Sequence, residues 1–243
     1  MGKLEGKVAM VTGASRHIGR GVAIGLAREG AKLALGARSV EGLNTTAEKI
    51  RECGSEALIV PTDVQFEEQI DNLFKKTMEH YGRLDILVNN AGVFDGGPID
   101  ELTTETWDKV INTNLRAAFL CTRAAFRIMK AQGGGRMIIV GSISASRVRE
   151  NNAPYSCSKF ALSGLTQTIA LEGREHNINC GILHPGLVLG DNPPKDDSME
   201  SKMTPMNSEE IAAAAVYMAC QPPHVNVLEL IQLPKDQPYL GRG

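Results

Sequence analysis

Short aliphatic and β-branched runs alternate along the chain with longer stretches in which apolar residues recur at helical spacing. The runs, candidate strands, lie at residues 7–13, 32–38, 56–63, 84–90, 135–142, 178–185 and 226–234. Between them Ile18, Val22 and Leu26 fall on one helical face, as do Ile70, Phe74 and Thr77–Met78. Residues 107–129 keep a long helical pattern. Ser208, followed by Glu209, Glu210 and an alanine-rich run, reads as a capped helix start. Strands that are nearly continuously apolar imply a parallel sheet with helices on both faces. Right-handed crossovers make such a sheet doubly wound, with ligands at the carboxyl ends of its strands.

One stretch breaks the alternation. Residues 187–207, "LVLGDNPPKDDSMESKMTPMN", are too polar and too Pro-rich for a core, so they read as a lid or binding loop, or else as disorder. Without repeats or a low-complexity linker, residues 1–243 form one domain. Its cofactor half runs over about 1–140 and its catalytic and substrate half over about 141–243.

Composition narrows the function classes. The chain has 243 residues, 42% hydrophobic and 22% charged, as in an ordinary globular protein. A formal net charge of −2 gives no footprint for nucleic acid or an anionic membrane. No apolar run approaches the ~20 residues of a membrane span, and the N-terminal stretch lacks the long apolar core and cleavage site of a secretory signal. Five widely spaced cysteines without a CxxC read as free thiols in a reducing compartment, which points to the cytoplasm.

The first strand runs into "VTGASRHIGRG", a turn that opens a helix. Backbone N–H groups at a helix N-terminus, aided by the helix dipole, can hold a pyrophosphate. The candidate residues are Gly13, Ser15, Arg16, His17, Ile18 and Gly19. The spacing is not GxGxxG, and glycine-rich strand-to-helix turns serve packing as well as phosphate binding. At the end of the second strand an NAD site places an acid on the ribose hydroxyls. Here Gly36 and Ala37 lead to Arg38 and Ser39, and the nearest acid is Glu41. Arg38, with Arg16 in the turn, suits the 2′-phosphate of NADP(H) in preference to NAD(H); taken singly, each is equally a surface arginine.

Further on, Tyr155 and Lys159 lie four apart in a segment of helical periodicity, on one face. A lysine ammonium one turn away favours the phenolate and tunes a tyrosine as a proton donor to a carbonyl oxygen. A Tyr-x-x-x-Lys pair also occurs by chance on exposed helices.

Taken together these segments resemble the short-chain dehydrogenase/reductase family over nearly the whole chain. "TGASRHIG" is similar to its glycine turn, "NNAG" at 89–92 to its signature after the fourth strand, and "INTNL" at 111–115 to its mid-helix asparagine motif. "GSISAS" places Ser142 thirteen residues before Tyr155, and "HPG" at 184–186 is similar to its PG turn. The resemblance implies a Rossmann-like fold and hydride transfer at a Ser-Tyr-Lys-Asn site. It makes Tyr155 the acid–base group, with Lys159 lowering its pKa and binding the nicotinamide ribose. Ser142 would bond the substrate oxygen, and Asn114 would hold a water that connects Lys159 to solvent. It places Asp63 and Val64 at the adenine, Asn90, Ala91 and Gly92 along the ribose, and Pro185, Gly186 and Val188 along the nicotinamide. No metal is required. A homo-oligomer, tetramer or dimer, would form through the helices that carry Asn114 and Tyr155.

Two positions and the C-terminal ending depart from the family pattern. His17 stands for the middle glycine of the turn; it either points outward or, when protonated, adds a third positive charge beside Arg16 and Arg38. Gly190 stands where a threonine often bonds the carboxamide. The ending "HVNVLELIQLPKDQPYLGRG" lacks the Gly-rich segment of acyl-reductase-like members.

The expected function is NADPH-dependent reduction of a small or medium carbonyl compound, reversible as alcohol oxidation. One alternative is a 3-oxoacyl carrier-protein reductase, with Arg123, Arg127, Lys130 and Arg136 in a basic patch for the carrier. Another is a non-catalytic NADP(H) sensor. Substrate choice would rest on 187–207 and on Arg147, Arg149, Glu150, Asn151 and Asn152, unless these are exposed-loop polarity. A hydrolase is excluded because Ser142 lacks a G-x-S-x-G elbow and no histidine stands out as its partner. His80, His176 and His224 are expected at element ends, and His184 either in a structural place or near the nicotinamide.

Overall fold

The computed structural model describes residues 2–190 and 203–239. Seven parallel strands, β1 (Val8–Thr12), β2 (Lys32–Ala37), β3 (Ala57–Pro61), β4 (Ile86–Asn89), β5 (Gly135–Val140), β6 (Ile178–Pro185) and β7 (Glu229–Gln232), form one sheet in the order β3-β2-β1-β4-β5-β6-β7. The strand order reverses between β1 and β4, which pair from Ala9↔Ile86 to Val11↔Val88. Ligands of doubly wound sheets bind at such a switch point.

Successive residues of each strand feed opposite layers, as a pleat dictates. Ala9, Val11, Leu33, Leu35, Val88 and Ile138 join the core under α1 (His17–Arg28), α2 (Val40–Glu52) and α7 (Ser208–Ala219). Met10, Ala34, Leu87, Met137 and Ile139 join the opposite core, under α3 (Glu67–Tyr81), α5 (Ala117–Gln132) and α6 (Ala153–Glu172). Both faces of the inner strands are covered, which is why they read as continuous apolar runs, while the edge strands β3 and β7 are half exposed.

Two glycines bring α1 and α7 together: a Cβ on Gly21 would lie 2.6 Å from the Ser208 carbonyl oxygen, and one on Gly25 would lie 3.1 Å from Val216. The cap of α7 is Asn207, one residue before the Ser208 expected to start it. Its Oδ1 accepts the N–H groups of Glu209 and Glu210, while the Glu210 carboxylate accepts the Asn207 N–H. Serine and asparagine are both good caps, and only the backbone decides between neighbours.

The long helical pattern at 107–129 is three pieces: α4 (Thr104–Ile111), a π-helical turn at Asn112–Arg116, and α5. The Ala117 N–H reaches the carbonyl of Asn112, five residues back, so the ladder slips by one residue around Asn114. Apolar periodicity runs through such a slip almost unchanged, which hides it from the pattern.

Of the four residues of the expected basic patch, Arg127 and Lys130 are exposed on α5 and the other two are engaged elsewhere. Arg136 is buried, donating to the carbonyls of Gln221, Pro222 and Val225, and Arg123 pairs with Glu67. Most of the expected lid at 187–207 lies outside the described residues. Its two ends are held to each other: Val188 bridges Met206 in parallel, with the Leu189 N–H on the Met206 carbonyl at 2.7 Å. No helix among the described residues is long and apolar enough to cross a membrane.

Candidate active site

A cleft of about 1310 Å³ opens at the carboxyl ends of the strands, across the switch point. Every candidate cofactor residue borders it, together with Ser142, Tyr155 and Lys159. Asn114 lies behind its wall, 2% exposed.

At the phosphate end the chain turns on Gly13, whose φ of +67° is a glycine conformation. A Cβ on Gly13 would lie 2.9 Å from Ala91 Cα, and one on Gly19 would lie 2.2 Å from the Gly13 carbonyl oxygen. Two loops therefore approach to within backbone contact. Asn90 seals them: its Nδ2 donates to the Thr12 and Gly13 carbonyls at 2.9 and 3.2 Å, while the N–H groups of Asn90 and Ala91 both donate to Thr12 Oγ1. Asn90 thus holds the turn in shape as well as bordering the cleft.

His17 carries φ +46°, in the left-handed region. A side chain there costs about 1 kcal/mol or more relative to glycine, which gives a physical reason for the family's glycine. His17 is partly buried and borders the cleft, so it does not simply point outward. His17→Gly is expected to raise the urea midpoint by the equivalent of about 1 kcal/mol; a midpoint unchanged or lowered would show that the ring's contacts outweigh the strain. Among the described residues, a Cβ on Gly190 would meet only His17 Cε1, at 3.9 Å.

Arg38 stands exposed at the end of β2. The next residue, Ser39, caps α2 by accepting the Gly42 N–H at 3.1 Å. The sequence reading missed what ties α2 to the phosphate turn. Arg20 donates to the Ser15 carbonyl and to Thr46 Oγ1, and Thr46 Oγ1 donates to the Ala14 carbonyl at 2.8 Å. A Cβ on Gly42 would lie 2.8 Å from Ser15 Cβ. Arg20 and Thr46 are ordinary helix residues by pattern, and nothing local marks them. Asp63 is shaped by its own turn, with Oδ1 accepting the Gln65 N–H at 3.1 Å.

At the opposite end α6 presents Tyr155 and Lys159 side by side, the Lys159 Nζ 5.5 Å from the Tyr155 ring centroid. Lys159 Nζ donates to the Val140 carbonyl at 2.9 Å, and burial pushes its pKa down to about 8. For Tyr155 burial raises the pKa above the ordinary phenol value, opposed by the hydrogen bond from Ser142 and by the charge of Arg149. Desolvation of the phenolate outweighs both, and Lys159, expected to lower this pKa, is not among the groups that do so here. Phe94, also missed from sequence, meets the Tyr155 ring edge-on at 4.9 Å.

Ser142 extends from the end of β5, its Oγ accepting the Ser144 N–H at 3.1 Å. Asn114 makes three side-chain bonds: Oδ1 accepts the Val93 N–H at 2.8 Å, and Nδ2 donates to the Val93 carbonyl and to Ser158 Oγ. Its amide thus clamps the β4 loop to α6, one residue from Lys159. Among the five polar residues offered for substrate choice, Arg149 borders the cleft. Asn152 is instead buried, and Arg147 lies over the Tyr239 ring.

The buried lysine makes stability depend on pH. Between pH 8 and its ordinary pKa of 10.5, the unfolded chain keeps a proton on Lys159 that the folded chain has released. Stability therefore rises with pH across this window and falls as pH drops from 10.5 through 8. Urea midpoints of wild type and Lys159→Met, compared across the window, should diverge by up to about 3 kcal/mol; parallel curves would refute the desolvation.

The sequence profile of the short chain dehydrogenases matches residues 7–200. An uncharacterized oxidoreductase of Staphylococcus haemolyticus is 35% identical over 234 residues, covering 96% of this chain and 100% of that protein. Among solved structures, a dehydrogenase/reductase from Sinorhizobium meliloti superposes with a TM-score of 0.90 at 34% identity, over 96% of each chain. An actinorhodin polyketide ketoreductase with NADPH superposes with a TM-score of 0.87 at 30% identity, over 96% of this chain and 98% of that one.

Proposed function

The chain belongs to the short-chain dehydrogenase family, and on that premise we propose that it is an NADPH-dependent reductase of small or medium carbonyl compounds, reversible as alcohol oxidation. The observation that carries this reading is one continuous cleft with Arg38, and no acid before Glu41, at one end and Ser142, Tyr155 and Lys159 at the other.

The cleft fits a dinucleotide. Gly13 and Gly19 form a cradle that a Cβ would fill, and the N-terminus of α1 supplies N–H groups for a pyrophosphate. Arg38 and Arg16 would hold the 2′-phosphate, Asp63 and Val64 the adenine, and Asn90 to Gly92 the ribose side. Pro185, Gly186 and Val188 would lie along the nicotinamide, which supplies the hydride when bound. NADPH beside the similar polyketide ketoreductase supports this choice of cofactor and of a ketone substrate.

The chain's own groups handle the oxygen and the proton. Ser142 Oγ accepts from Ser144 and its hydroxyl bonds Tyr155; turned to the substrate oxygen, that O–H would hold it beside Tyr155. Tyr155 gives its proton to that oxygen as negative charge develops there. Lys159, held at the Val140 carbonyl, supports the phenolate left behind, and Asn114 keeps the β4 loop and α6 in register beside it. Water at Asn114 would return the proton to Tyr155 through Lys159. Exposed Phe119 on α5 and Phe160 on α6 would be covered in a homo-oligomer, a tetramer or dimer.

A panel of aldehydes and ketones assayed with NADPH and NADH in parallel tests the reading. Turnover of at least one compound, faster with NADPH, is expected. No turnover of any compound with either cofactor, or a preference for NADH, would refute it.

A further inference from the structure

Ser142 is held from behind by a residue that does not border the cleft. Beyond Val140, which pairs with Leu183, β5 leaves the sheet, and the main chain of Gly141 and Ser142 must find other partners. Gly141 donates to the Leu183 carbonyl at 2.7 Å. The Ser142 N–H donates to Nδ1 of His184, the next residue of β6, at 3.1 Å. The same Nδ1 lies 2.8 Å from the Ser142 carbonyl oxygen, which also accepts the Ala145 N–H at 3.0 Å. The far nitrogen of the ring, Nε2, faces Glu229 Oε1 on β7 at 3.3 Å. His184 itself is 3% exposed.

These contacts admit two neutral forms of the ring. With Nε2–H donated to Glu229, Nδ1 is an acceptor for the Ser142 N–H, and the Ser142 carbonyl keeps Ala145. A ring protonated on Nδ1 would grip the same residue by its carbonyl instead. Either way the imidazole bonds Ser142 and no other residue of the site. Room for it comes from Gly141, where a Cβ would lie 2.5 Å from Nδ1. The Ser142 hydroxyl is set by this main chain, and the turn at Ile143–Ala145 hangs from the same oxygen.

We propose that His184 is a positioning residue that holds the Ser142 main chain, and through it the Ser142 hydroxyl, beside Tyr155. This rests on the carbonyl-reductase reading above for its catalytic consequence, but not for the grip itself. Burial holds the His184 pKa below the ordinary imidazole value, with the bond to the Ser142 carbonyl and Glu229 opposing and Lys159 adding to the fall.

The test compares His184→Ala, His184→Asn and Gly141→Ala in the full chain. Asparagine keeps an acceptor near the Nδ1 position, and Gly141→Ala displaces the ring without opening a cavity, so one perturbed variant remains if the other does not fold. Hydrogen exchange at the Ser142 amide should quicken about tenfold or more in His184→Ala and Gly141→Ala and stay close to wild type in His184→Asn. In the same variants kcat should fall about tenfold or more, with cofactor Kd near wild type, and recover in His184→Asn. Unchanged exchange, loss shared equally by His184→Asn, or quickened exchange with unchanged kcat would each overturn the proposal. Should the wild type reduce no carbonyl compound, the functional reading fails, and the exchange measurement alone decides the grip.

Discussion

Tyr155→Phe is expected to lower kcat by about 10³-fold while leaving cofactor affinity within a few-fold of wild type. The substitution removes one oxygen from a ring that packs against Phe94 and lies beside Lys159, so the fold of the cleft should survive. What it removes is the proton donor. Neither Ser142 nor Lys159 replaces it: the Ser142 hydroxyl is a far weaker acid, and Lys159 Nζ is bonded to the Val140 carbonyl. Fluorescence titration of NADPH, set beside steady-state rates on the best carbonyl substrate, separates the two quantities. A wild type that turns over and a phenylalanine variant that only binds would exclude the sensor alternative, which has no use for an acid–base group. Activity retained within tenfold would sink Tyr155 as the proton donor.

Arg38→Asp is expected to raise the KM for NADPH about 10²-fold and to bring NADH to parity or better. Arg38 leaves β2 as an exposed side chain, and the capping bond from the Gly42 N–H to Ser39 fixes the chain just after it. A 2′-phosphate there gains a charge-assisted pair from arginine and meets repulsion from aspartate, whereas a ribose 2′-hydroxyl can donate to the carboxylate. The ratio of kcat/KM for the two cofactors reads the exchange directly. A ratio moving less than about threefold would mean that the 2′-position is read elsewhere, with Arg16 as the next residue to vary.

Much of this architecture is legible in the chain because parallel strands covered on both sides must be apolar throughout, as β1, β2, β4, β5 and β6 are; β3 and β7, at the edges, are half exposed. The elements of the cleft are legible for a different reason: Gly13, Ser142, Tyr155 and Lys159 each sit at a strand end or on one helical face, where spacing fixes direction. What escapes the sequence is held by contacts between segments far apart in it. Arg20 and Thr46 brace the turn across 26 residues, and His184 grips Ser142 across 42. The slip at Asn112–Arg116 escapes because five- and four-residue turns place apolar side chains nearly alike. His17 is the opposite case: its backbone angle is unusual, but only a structure gives an angle.

The clasp between Val188 and Met206, and the glycine seam that presses α7 onto α1, fix both ends of the stretch between them. Just past β6, Val188 and Met206 are bridged side by side outside the sheet, and α7 then locks onto the helix behind the phosphate turn. Whatever is written between these two points begins and ends at the same place. A segment of another length or composition grafted between them is expected to leave the cofactor cleft as it stands, which NADPH titration of the graft would check.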